Sequence, residues 1–181
     1  MQRRSRYVLM LTLILGLSFF AGTAAADFWG DYNGNGHFAT GSLRWCHSGT
    51  YGYANLQAIS VWNANTDMSV AANCTGNQIT TNTANWGNNN LYGKAFICQG
   101  SYGCDVAPFN YTFTSCTATT NTYYYDQPVS NDLFRQSNAM HELGHCWSLG
   151  HRNEGDSIMM IGFRSQITLN AKDIQLLNNR Y

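Results

Sequence analysis

Apolar residues along this chain fall into short groups whose spacing predicts alternating strands and helices after an unlike beginning. Val8 to Phe20 is a nearly unbroken apolar run behind Arg3, Arg4 and Arg6, and Ala24, Ala25 and Ala26 follow it just before Asp27. A basic start, an apolar stretch too short to span a bilayer comfortably and a small-residue end make the pattern of a cleavable export signal. Residues 1–26 are therefore set apart from the fold. From Asp27 to about Arg44 the chain is rich in glycine and asparagine and reads as an ordered loop or a short edge strand. From Ala54 to about Thr66, Asn55, Ala58, Ile59 and Trp62 recur at helical spacing and give one packing face. Met68 to Thr81 and Asn89 to Ile97 read as short strands between turns rich in asparagine and glycine. Tyr111 to Thr114 and Thr122 to Tyr125 are further strand candidates, the second stopped by Asp126, Gln127 and Pro128.

Two more helices follow. Asn131 or Asp132 caps one that runs to about Trp147. On it Met140, Leu143 and Trp147 share a core face, while Phe134, Asn138, His141 and His145 share a face toward a cleft. Asn170 caps the last helix with Asp173 at its third position, and Ile174, Leu177 and Tyr181 form its buried stripe. No repeat or linker divides residues 27–181, which read as a single α+β domain.

The cleft face is where the chemistry concentrates. Three of the chain's five histidines and one of its two glutamates lie between His141 and His151. Residues four apart share a helix face, so His141 and His145 can aim two imidazoles at one point. Such a pair suits zinc, which takes neutral nitrogen ligands in tetrahedral geometry. A sharp turn after His145 would bring His151 in as a third ligand and leave one position open, which marks a catalytic rather than a structural site. Glu142 is placed to act as general base toward a water that zinc activates. If His151 were instead an exposed loop histidine, Glu154 or Asp156 would complete the site. His37 and His47 read as ordinary loop histidines.

Composition narrows the setting. Ten basic residues balance ten acidic ones, and three of the basic ones are lost with the export signal. No basic stripe remains to suggest nucleic acid or an anionic membrane. All six cysteines lie beyond the signal, and an even count in an exported chain argues for disulfides. Cys98 and Cys104 flank a tight segment and are the favoured local pair, while Cys146 would tie the histidine-bearing helix to a neighbouring strand. Zinc ligation by cysteine is the competing reading, weakened by the lack of any C-x-x-C pair. Asp31, Asn33, Asn35 and Gly36 resemble the start of a calcium loop, but Ser42 stands where its glutamate belongs, so a polar turn is preferred. Calcium is the weaker of the two.

The segment His141 to Met159 resembles the metzincins, whose signature is H-E-x-x-H-x-x-G-x-x-H followed by a methionine turn. Met159 lies eight residues after His151, a spacing most like the matrixin branch, and the closing segment from Leu169 to Tyr181 is similar to the last helix of bacterial matrixins. The resemblance covers roughly residues 131–181. It implies a metzincin-like zincin: a mixed, twisted sheet packed on two long helices, with a small C-terminal subdomain closed by a third. It also implies a monomeric zinc endopeptidase that binds protein or peptide substrate extended along an edge strand, here Leu91 to Ile97. Met159 would form an apolar floor beneath the ligands, and Met160, Ile161 and Phe163 the apolar wall of the pocket after the scissile bond. The family's glycine at the eighth motif position is Ser148 here. That departure favours a second reading, a secreted zinc-binding module without catalysis, and retention of Glu142 argues against it. A zinc hydrolase acting on a non-protein amide is the third. Between Ala26 and the first helix there is no room for a pro-domain, so latency through propeptide removal is not expected.

Overall fold

A computed structural model describes residues 30–181. The export-signal reading lies outside the described residues. Five strands make one mixed sheet: β1 (Ser42–His47), β2 (Ser69–Ala72), β3 (Ile79–Ala84), β4 (Gly93–Cys98) and β5 (Ser115–Asn121). Their spatial order is β2-β1-β3-β5-β4. All pairings are parallel except β4 with β5, which run antiparallel with Ala95 opposite Ala118. β4 is therefore an edge strand with one row of backbone groups unclaimed by the sheet.

Helix α1 (Gly52–Asn65) carries the chain from β1 over to β2. Its packing face is the one expected, with Ala58, Ile59 and Trp62 buried in the core. The indole of Trp62 donates to the Met140 carbonyl at 3.2 Å, which pins α1 to helix α3 (Asp132–Cys146). Asn63 clasps both backbone groups of Val70 at 2.9 Å and fixes where β2 begins. A short helix α2 (Thr122–Tyr125) precedes α3, and α4 (Ala171–Asn178) closes the chain. The core joins sheet and helices through Ile79, Ile97, Met140, Leu143, Trp147 and Leu177. Among the described residues no helix is long and apolar enough to cross a membrane.

Three disulfides form. Cys98–Cys104 staples the loop after β4, and Cys116–Cys146 ties β5 to the last turn of α3, both as expected. Cys46–Cys74 joins the end of β1 to the loop beyond β2.

Several elements differ from the sequence expectations. Thr122 to Tyr125 is a helical turn, because the Asn121 side chain accepts from the Tyr123 amide and starts a helix where aromatic residues suggested a strand. Tyr111 to Thr114 forms no strand; the real partner of β4 is β5, immediately after it. β1 lies inside the sheet between β2 and β3 rather than at an edge, so the stretch from Met68 to Thr81 splits into two strands that do not pair with each other. On α4 the buried residues are Asp173, Leu176 and Leu177, not Ile174.

Candidate metal centre

The site is assembled from α3 upward. Asn131 caps the helix by accepting from the Phe134 amide at 2.9 Å, and Asp132 in the first turn favours the positive end of the helix dipole. One helical turn separates His141 from His145 near its other end. α3 stops at Cys146, and Ser148 reverses the chain with φ of 79°. A left-handed serine costs about 1 kcal/mol relative to glycine. The turn returns His151 to face its two partners, as the motif spacing predicts.

The three imidazoles converge through their Nε2 atoms, which lie 3.1 Å (His141–His145), 3.0 Å (His145–His151) and 3.2 Å (His141–His151) apart. Nδ1 of His141 donates to the Ile158 carbonyl at 2.9 Å, and Nδ1 of His145 donates to the Leu149 carbonyl at 2.8 Å. A carbonyl can only accept, so each of these Nδ1 atoms carries the ring proton and each Nε2 is left with a bare lone pair. Acceptor atoms at this separation repel unless a cation lies among them. The triad could hold a metal ion, and its all-imidazole donor set is compatible with zinc. Burial pushes the His141 imidazolium down to about 4, with repulsion from His151 adding to it. His145 is held well below its ordinary value by the same burial and by both neighbours. Both rings are thus kept neutral, the form that ligates. Glu154 pairs with Arg152 and Asp156 accepts from Asn170, so the alternative third ligands are engaged elsewhere.

Glu142 is 5 % exposed and lies beside this centre. Burial pushes its carboxyl up to about 8. A cation at the histidines opposes that shift and favours the ionised form. Its close neighbour is the backbone of Gly93, the first residue of β4, where a β-carbon would overlap the carboxylate. A glycine in a strand signals such a close approach, a signal the sequence carries at position 93.

Met159 is wholly buried and packs against Gly144 of α3, where an added β-carbon would meet its sulfur and force it aside. The turn that carries it hangs on Asp173. This buried carboxylate accepts from Ser157 at 2.8 Å, from the Ile158 amide at 2.9 Å and from Arg152 at 3.0 Å. Asp173 therefore reaches His141 through Ile158, whose carbonyl orients the ring. The sequence marked Asp173 only as half of a capping box, which it also is.

A cavity of about 340 Å³ opens beside the triad, bounded by residues 90–93 on one side and Met160 and Ile161 on the other. Phe163, expected as part of the wall, is not among the lining residues: it is exposed and stacks on Phe134 at 4.1 Å and 9°. The wall is not purely apolar, because Ser137, Asn138 and Arg164 also reach it. The Asn138 amide donates to the Tyr92 carbonyl at 3.0 Å and to the Tyr125 hydroxyl at 3.2 Å, which locks the start of β4 to α3. In the loop read as a weak calcium candidate, the Asn33 amide donates to the His145 carbonyl and Asp31 pairs with Lys172. These two side chains brace α3 and α4 rather than converge on one point.

The chain matches no protein-family model and no curated protein.

Proposed function

We propose that this chain is a zinc-dependent endopeptidase of metzincin type, closest to the matrixins, that acts outside the cell that makes it. The observation that carries the reading is a three-imidazole centre with a buried carboxylate beside it, at the foot of an open cleft bordered by an edge strand. A structural zinc site closes its fourth position with protein and has no use for that carboxylate.

Zinc held by the three Nε2 atoms would supply Lewis acidity, polarising the scissile carbonyl and acidifying a water. Glu142 would take a proton from the attacking water and deliver it to the leaving amine, a role that needs the ionised carboxylate at the start of each turnover. The backbone of β4 offers its free edge to an extended peptide, adding hydrogen bonds in register. Gly93 lets that peptide and Glu142 share the narrow space at the strand's start. The cavity between residues 90–93 and Met160–Ile161 receives the side chain that follows the scissile bond. His141, His145 and His151 are the ligands, and Met159 is their apolar floor. The three disulfides support an oxidising destination and hence export. The substrate is protein or peptide; the balanced charge gives no footing for nucleic acid.

The test is metal content with casein hydrolysis, before and after chelation, on the exported protein and its Glu142→Gln variant. One zinc per chain, chelator-sensitive cleavage and a variant that keeps zinc but loses cleavage by 10² or more is the expected result. Bound zinc with no cleavage of any protein by the wild type would overturn the peptidase reading.

A further inference from the structure

We infer that Ser148 and Arg180 form a positioning lock for the third ligand, His151, and that serine serves here better than the glycine the backbone angle favours. The inference rests on the reading that the three histidines hold the metal.

The geometry is a closed set of bonds. Ser148 is fully buried and its hydroxyl donates to the Gly36 carbonyl at 2.6 Å. The same oxygen accepts from the Arg180 guanidinium at 3.0 Å. Arg180 also donates to the Gly36 carbonyl and to the Gly34 carbonyl, each at 3.0 Å. Its guanidinium lies 3.7 Å from the ring centre of Tyr32, whose hydroxyl donates to the Leu176 carbonyl on α4. One cation therefore gathers the N-terminal segment, the end of the chain and the turn after the metal helix.

That turn is what His151 depends on. Between Ser148 and His151 the backbone is laced to the N-terminal segment: Asn33 donates to the Ser148 carbonyl at 3.0 Å, Gly150 to Asp31 at 3.3 Å and Gly30 to the His151 carbonyl at 2.9 Å. An antiparallel bridge joins Tyr32 to Leu149 between them. His141 and His145 are fixed by their helix and by carbonyls of the turn residues, whereas His151 sits on a loop. Where Ser148 turns the chain, and what holds that turn, places the backbone that carries His151. A glycine would reach the same angle without strain, yet would take away the hydroxyl that Arg180 and Gly36 share. Arg180 touches neither ligand nor substrate, so its role is positioning.

The test uses zinc and cobalt(II) as probes on the whole exported protein. Ser148→Gly is expected to bind zinc about tenfold more weakly in competition with a chromophoric chelator, the factor that loss of about one buried hydrogen bond produces. Arg180→Gln is expected to weaken binding by a similar factor, Arg180→Lys to restore part of it, and the double variant to be no worse than either single one. The visible absorption of the cobalt-loaded protein should change in Ser148→Gly and Arg180→Gln and return toward wild type in Arg180→Lys. If position 148 needs only its left-handed angle, Ser148→Gly will bind zinc as well as wild type or better, and the lock is wrong. A drop in melting temperature of the metal-free variants with affinity and cobalt spectrum unchanged would also overturn it, as purely structural. A wild type that binds no zinc would instead sink the metal-centre reading, whereas absence of proteolysis would sink the peptidase reading and leave the lock standing.

Discussion

Gly93 and Glu142 are in such close contact that a β-carbon at position 93 would come within 2.6 Å of the Glu142 carboxylate oxygen and 2.7 Å of its carbon. The first residue of the edge strand and the proposed base thus share one van der Waals boundary.

Gly93→Ala must push that carboxylate aside. The expected outcome is a fall in kcat/KM of about 10², the scale of a 1 Å misplacement at a reacting group. Zinc content should stay at the wild-type level, because the three histidines lie on other elements. Peptide cleavage kinetics with metal analysis checks it, and an alanine variant of normal activity would contradict the contact.

The metal-free chain should show opposing pH dependences. Folded Glu142 keeps its proton up to about 8, against 4.5 as its ordinary value, so folding takes up a proton across that range and stability falls as pH rises through it. His141 runs the other way, staying neutral down to about 4 against 6.5, so stability falls as pH drops from 6.5 toward 4. Above pH 6.5 Glu142 acts without that counterweight. Glu142→Gln is therefore expected to flatten the stability profile between pH 6.5 and 8 and to steepen its acid limb. Urea unfolding in the presence of chelator reads this directly.

Asp173 and Arg152 form a buried ion pair at 3.0 Å, with side chains 0 % and 2 % exposed. Asp173→Ala leaves Arg152 with only the half-exposed Glu154 as its partner and strips Ser157 and the Ile158 amide of their acceptor. A loss of about 3–5 kcal/mol is expected, the scale of breaking a buried pair from one side. Denaturant unfolding gives the figure. A change below about 1 kcal/mol would show that the Met159 turn does not depend on this carboxylate.

Phe163 stacks on Phe134, and its ring centre lies 6.1 Å from that of Tyr92. Phe163→Ala removes an aromatic pair of about 0.5–1.5 kcal/mol beyond area burial and frees Phe134, which lines the cavity. Cleavage of a peptide library should then tolerate bulkier side chains after the scissile bond, with little change in zinc affinity. An unaltered preference would place that pocket elsewhere.

The local parts of this architecture were legible from the sequence and the non-local ones were not. The His141–His145 pair, the cap at Asn131, the capping box of Asn170 with Asp173 and the Cys98–Cys104 staple are short-range patterns with fixed spacing. β5 escaped because its inner strand position buries Thr119, Thr120 and Asn121, and polar residues there do not read as core. Asn121 is satisfied by donating to the carbonyls of Gly87 and Leu91, a compensation visible only in three dimensions. Arg180 escaped for the same reason, since the Gly34 and Gly36 carbonyls to which it donates lie more than a hundred residues away. The tyrosines of α2 misled because their strand preference was overruled by one asparagine cap.

The bond between Cys116 and Cys146 places a matter of geography inside the metal centre. Cys146 follows His145 directly, so the seat of α3 on the sheet is completed by a link that a reducing cytosol does not sustain. On the proposed reading, a chain newly released into a reducing cytosol lacks that last fastening, and passage into an oxidising space would complete the seat of the three histidines.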